Sequence, residues 1–241
     1  MPQVVQNFVT DRDYNHVRET QQEILRAYQG DFSKHIPAAE QMNVKLVWKN
    51  IFGELAKENK KFILGHLRSG ARAKDFEVAI AWLASCGLIY QVPAIRKPSV
   101  PLISYQVPSM FKLYALDVGL LSAMAKLKPE TLISGNEFFK EAKGALTEQY
   151  VLQQLMIYRD QLEIAYWAKG HGVGEVDFIV QKDDQIIPVE VKASVNLQAK
   201  SLKAYLETFK PQRALRFSGA DYKQNELITD YPLYAVPLIM A

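Results

Sequence analysis

The stretch EVDFIVQKDDQIIPVEVKA, from Glu175 to Ala193, constrains the fold most. It reads as two apolar strands joined by a polar hairpin-type turn, QKDDQ. Each strand carries charge that a buried strand normally avoids. Asp177 lies in the first, Glu190 and Lys192 in the second. Side chains alternate across a strand. Straight alternation puts Val176, Phe178 and Val180 on one face and Glu175, Asp177 and Ile179 on the other. In the next strand Val189 and Val191 share one face, while Pro188, Glu190 and Lys192 share its opposite. If the strands pair, two carboxylates and an ammonium meet at one edge of a sheet.

The flanking segments set the topology. GNEFFKEAKGALTEQYVLQQLMIY predicts a long helix, LEIAYWA a strand and KGHGVG a loop before the hairpin. After it, NLQAKSLKAYLETF predicts a helix carrying Leu197, Leu202 and Leu206. RALRFSG is a further strand and LYAVPLI a last one. The order is α-β-β-β-α-β plus an extra strand, with a helical crossover to the fourth strand.

On the first of these helices Glu148, Val151, Leu152 and Leu155 form one stripe, apolar except for Glu148. A carboxylate on a packing face is costly unless something compensates it. A divalent cation shared by Glu148, Asp177 and Glu190 would do so. Oxygen ligands of this kind suit Mg²⁺ or Mn²⁺ rather than zinc. The Val191 carbonyl would add a ligand, and Lys192 would assist the attacking water. That is an apparatus for metal-assisted phosphodiester hydrolysis. The competing reading is a buried salt bridge from Asp177 or Glu190 to Lys192, with no metal.

The N-terminal half is helical. Residues 1 to about 35 carry a partial stripe of Val17, Ile24, Leu25 and Tyr28. VKLVWKNIFGELAKE places Val44, Val47, Trp48, Ile51, Phe52 and Leu55 on one helical face. FILGHL reads as a short second helix, SGAR as a turn, and KDFEVAIAWLASCG as a third helix closed by Gly87. The strand LIYQV, a Pro-rich loop and the strand MFKLYAL follow, then a short helix from Asp117. Three helices and a two-stranded ribbon are the order of a winged helix.

Charge bears on that reading. From Gln41 to Tyr114 eleven Lys and Arg face four Asp and Glu, a net of +7 within a chain of net +3. Lys60, Lys61, His66, Arg68, Arg72 and Lys74 cluster before the third helix. Lys60, Lys61, Arg68, Arg72 and Lys74 are the candidate phosphate contacts to DNA. The third helix itself is mostly apolar and shows few side chains suited to base edges. A plain solvated face, or a protein-docking winged helix, accounts for the same charges.

One cysteine, Cys86, excludes an internal disulfide, and its apolar context suggests a buried thiol. No secretory pattern opens the chain. Val78–Ile95 is free of charge for 18 residues, but Ser85, Gly87, Gln91 and Pro93 argue against a membrane span. A soluble, cytoplasmic protein with no membrane partner is expected.

The spacing of Asp177 from Glu190-Val-Lys192, with Glu148 on the preceding helix, resembles the PD-(D/E)xK nuclease superfamily. More closely, GALTEQYVLQQL, the Tyr166-Trp167 pair, EVDFIV, IIPVEVKA and KSLKAY resemble the DUF4143 domain at the C-terminus of bacterial and archaeal AAA-type ATPases. That likeness extends to KLYALDVGLL in the winged-helix region. It implies an α+β fold: an N-terminal helical and winged-helix region followed by an α-β-β-β-α-β restriction-endonuclease-like domain. Its implied divisions are 1–40, a helical tail similar to the end of an ATPase domain, 41–130, a winged helix, and 131–241, a nuclease-like domain. In that family an ATPase precedes this region, which implies an AAA-type ATPase partner; the chain has no G-x-x-x-x-G-K-[ST] phosphate loop and is not expected to bind ATP alone. Two functions follow: a Mg²⁺-dependent nuclease with Asp177, Glu190 and Lys192 catalytic, or an inert DNA-binding or protein-docking module on the same frame.

Overall fold

The fold is known from a computed structural model that describes residues 1–57, 60–70, 72–134, 140–169, 174–194 and 200–240. The chain opens with helices α1 (Pro2–Asp11), α2 (Tyr14–His35), α3 (Ala38–Leu55) and α4 (Glu77–Ser85). Strands β1 (Ile89–Ile95) and β2 (Gln106–Ala115) follow, then α5 (Val118–Met124), α6 (Pro129–Ser134) and α7 (Lys140–Leu155). The remainder is β3 (Leu162–Ala168), β4 (Glu175–Lys182), β5 (Gln185–Val191), α8 (Lys200–Phe209), β6 (Ala214–Ser218), β7 (Lys223–Gln224), β8 (Ile228–Pro232) and α9 (Val236–Met240). Two compact units result: Met1–Gln91 with Leu113–Leu146, and Val92–Lys112 with Thr147–Ala241.

In the first unit the predicted stripe on α3 is the core. Val44, Val47, Trp48, Ile51 and Leu55 are buried, while Phe52 is half-buried. Phe32 of α2 meets Trp48 and Trp82 edge-on, each at 5.7 Å between ring centroids. Asp13 caps α2 by accepting the Asn15 N–H at 2.7 Å. Gly87 closes α4 as the sequence predicts. Its φ is +69°, the Leu88 N–H reaches the Leu83 carbonyl, and the Gly87 N–H reaches that of Ala84. Two expectations fail. FILGHL gives only one 3-10 turn, Leu64–His66, with Gly65 at its centre. Cys86, at the C-cap of α4, is exposed, whereas Ala79, Ile80 and Leu83 within that helix are buried.

The second unit is built on a mixed sheet of order β2-β1-β3-β4-β5-β6-β8-β7. β1 runs parallel to β3, with Ala94 and Ile95 opposite Tyr166 and Trp167. The predicted α-β-β-β-α-β order is present as α7 through β6. β4 and β5 form the expected antiparallel hairpin around Asp183 and Asp184, with Asp183 in the left-handed region at φ +53°. LYAVPLI is not a strand. Pro232 ends β8, and the chain turns into a 3-10 turn and then α9, with Pro237 tolerated in its first turn. Gly135–Phe139, the start of the predicted long helix, lie outside the described residues. So do Ala71 in the turn, residues 170–173 in the loop, and Asn196–Ala199, with Leu197, in the later helix.

α8 packs Leu202 and Tyr205 onto one sheet face with Ile95, Leu102, Ala165, Trp167, Val176, Ile179 and Ala214. Trp167 stands edge-on to Tyr205 at 5.4 Å and to Phe209 at 5.8 Å. Val176 and Ile179 share this cluster although they are three residues apart. Simple alternation forbids that. The cause is a register shift: Asp177 and Phe178 of β4 together oppose the single residue Tyr166 of β3. The faces expected for β4 are therefore corrected at Asp177, where the extra residue sits.

Among the described residues no helix is long and apolar enough to cross a membrane.

Candidate functional site

The charges of the hairpin lie where β4 and β5 leave their regular ladder. Pairing ends at Phe178 opposite Val189, and Asp177 stands one residue beyond. Its Oδ2 accepts the Val191 N–H at 2.8 Å. The carboxylate thus takes over from the backbone as acceptor for a buried donor. Glu190 is buried, and its Oε1 lies 2.6 Å from Lys192 Nζ. The structure therefore brings Asp177, Glu190 and Lys192 to one place in the sheet.

That place extends across further strands. Glu190 is the register partner of Arg216 on β6, and Arg216 is the partner of Asp230 on β8. The Arg216 guanidinium grips Asp230 with Nε to Oδ1 at 2.5 Å and Nη2 to Oδ2 at 3.0 Å. Asp230 is fully buried and Arg216 nearly so. A buried charged row thus runs Asp177, Glu190, Arg216, Asp230, with Lys192 beside Glu190. Sequence reading missed Arg216 and Asp230. Their signal was the one that exposed Asp177: a charge inside an apolar strand.

Glu148 on α7 is buried at 1% exposure, as its apolar stripe requires. Its compensation comes from a lysine. Lys112 on β2 is itself 0% exposed, and its Nζ lies 2.9 Å from Glu148 Oε1 and 2.5 Å from Glu175 Oε1. The same ammonium sits 4.8 Å from the Tyr166 ring centroid. Burial raises the Tyr166 phenol well above its ordinary pKa.

These contacts bear on whether the acids suit a cation. Among the described residues no three His, Cys, Asp or Glu side chains gather closely enough to hold a metal ion. Lys112 engages Glu148, Lys192 engages Glu190, and the Val191 N–H engages Asp177. Each of Glu148, Asp177 and Glu190 thus already has a protein partner.

In the other unit the candidate phosphate contacts lie in the segment before α4. Arg68, Arg72 and Lys74 are exposed, and Lys60 and Lys61 are half-buried. Asp75 collects two of the arginines: its Oδ2 accepts the Arg72 backbone N–H at 2.8 Å and lies 3.7 Å from Arg68 Nη2. Buried Glu54 organises the preceding stretch through Lys57, the Ile63 N–H at 3.2 Å and His66 Nδ1 at 3.1 Å.

Residues 1–131 match the family model described as Domain of unknown function (DUF8612). The chain belongs to the DUF8612 family. Beyond the DUF8612 segment, residues 143–236 match the model for Domain of unknown function (DUF4143), so the DUF4143 likeness holds over the C-terminal part. The N-terminal part, including KLYALDVGLL, falls to DUF8612 instead. No curated protein and no solved structure matches this DUF8612 chain.

Proposed function

We propose that this protein is a non-hydrolytic nucleic-acid-binding module that keeps the frame of a PD-(D/E)xK nuclease without its metal chemistry, in association with an AAA-type ATPase. The Lys112 ammonium set between Glu148 and Glu175 carries this reading. It supplies by protein side chain the positive charge that a nuclease of this type would take from a divalent cation. Lys192 against Glu190 and Arg216 against Asp230 supply more of the same. The winged-helix reading of the first unit supplies the grip. Exposed Arg68, Arg72 and Lys74 lie in a segment of net +7, and phosphate contacts need only positive charge.

A second reading stays in play because Asp177, Glu190 and Lys192 do converge. It is a Mg²⁺-dependent phosphodiesterase in which Lys192 assists the attacking water. One experiment separates the two. Linear, branched and single-stranded DNA are incubated with the protein and Mn²⁺, and binding is measured alongside. The binding module retains DNA, loses affinity as salt rises, and cuts nothing. Binding should fall by roughly one phosphate contact's salt dependence per arginine in Arg72→Gln, a slope change of about 0.9. Cleavage that disappears in Glu190→Ala and Asp177→Ala would establish the hydrolase. Absence of both binding and cleavage would leave a protein-docking domain.

A further inference from the structure

Arg18 on α2 carries a charge that no acid answers among the described residues. Its Nη2 donates to Ser122 Oγ at 3.1 Å. Its Nε and Nη1 are buried and have no hydrogen-bond partner among the described residues. Burial lowers its pKa, and no neighbouring acid offsets that shift. One turn on, Gln21 is 7% exposed, and its Oε1 also has no partner among the described residues. Buried polar atoms left in this state are costly unless something fills the site.

Both side chains line a recess of about 180 Å³ whose other walls include Tyr14, Val17, Pro129 and Leu132. A second recess of about 440 Å³ shares Arg18 and Pro129 with it. Exposed Lys126 and Lys128 stand at this second recess, with Glu130 as the acid among its lining residues. The two recesses share Arg18 and Pro129; an apolar wall lies at the first and two lysines at the second. A volume of this order suits a small molecule.

We propose that these recesses bind a small organic anion. Its carboxylate or phosphate lies against the Arg18 guanidinium, and its apolar body lies against Val17, Tyr14, Pro129 and Leu132. An oxyanion accepts from the planar guanidinium and neutralises it, which a water cannot do. A donor on the ligand answers Gln21 Oε1. Lys126 and Lys128 draw the anion in. The site is independent of the charged row in the sheet and of DNA binding.

The test is calorimetric titration of the full chain with phenyl phosphate, benzoate, inorganic phosphate and benzyl alcohol. Phenyl phosphate or benzoate should bind saturably and more tightly than inorganic phosphate, and benzyl alcohol should not bind. Whichever of the two aromatic anions binds tighter identifies the headgroup. Arg18→Gln should weaken binding by about tenfold or more, the effect of a lost charge-assisted hydrogen bond. If Arg18→Gln does not fold, the exposed double change Lys126→Asn with Lys128→Gln decides. Severalfold weaker binding at low salt supports the site, and unchanged binding overturns it. Three results also overturn it: no binding of either aromatic anion, binding indifferent to Arg18→Gln, or inorganic phosphate binding as tightly as phenyl phosphate. Displacement of phenyl phosphate by duplex DNA would assign the recess to a nucleic-acid surface instead, and overturn it too.

Discussion

Replacing Lys112 by methionine tests whether a lysine balances the acids of the sheet unit. The side chain is 0% exposed, and methionine keeps its length and bulk while removing the charge. Glu175 is 24% exposed and regains water when the ammonium goes. Glu148 is 1% exposed and does not, so the penalty falls on Glu148. At an effective dielectric of about 20, unit charges at the observed 2.9 Å attract by about 6 kcal/mol. Removing one partner of a buried pair typically costs about 3–5 kcal/mol. Urea unfolding at neutral pH should therefore show Lys112→Met less stable by about 3–5 kcal/mol, with an unchanged m-value. Adding Glu148→Gln should recover about 2 kcal/mol, because it removes the stranded charge. A loss below about 1 kcal/mol, or strictly additive effects of the two changes, would refute the assignment of Lys112 as the counter-charge.

Two more outcomes are expected. Asp230→Asn leaves the buried Arg216 guanidinium without its carboxylate and should lower stability by about 3 kcal/mol in a thermal melt. Replacing both residues by apolar ones of similar volume should recover most of that loss. His16 donates a hydrogen bond to Asp11, which raises the His16 pKa above 6.5 and, after backbone bonding to Asp13, helps lower that of Asp11 below 3.8. The raised His16 contributes stability below pH 6.5 that is lost as pH climbs through its folded pKa, and the lowered Asp11 contributes above pH 3.8 and is lost as pH falls. An NMR titration should show the His16 pKa drop toward its ordinary value in Asp11→Asn. An unchanged midpoint would remove the pairing.

Much of the frame was legible because it is written in short-range pattern. The α3 stripe, the stop at Gly87 and the strands either side of Asp183 each follow from neighbours in the chain. The acids of the site were legible for a different reason: Glu148, Asp177 and Glu190 interrupt apolar faces, and all three prove buried. Lys112 gave the same signal within MFKLYAL. Its partner, however, comes from a helix 36 residues on, and nothing local names it. The extra residue at Asp177 escaped because strict alternation leaves no room for one. The parallel pairing of β1 with β3 escaped because periodicity reports faces, not neighbours. LYAVPLI misled through composition, since its apolar residues satisfy a helix as well as a strand.

The segment 92–112 belongs with residues that the ribosome delivers later. The β3-facing edge of Ala94 and Ile95 has no strand to join until Tyr166 and Trp167 exist. Until then their backbone must be solvated or guarded. A gene divided between residues 131 and 143, in the gap separating the DUF8612 and DUF4143 segments, would give two incomplete pieces. The first would display a bare apolar ribbon. The second would lack two strands, along with the ammonium that lets Glu148 lie inside.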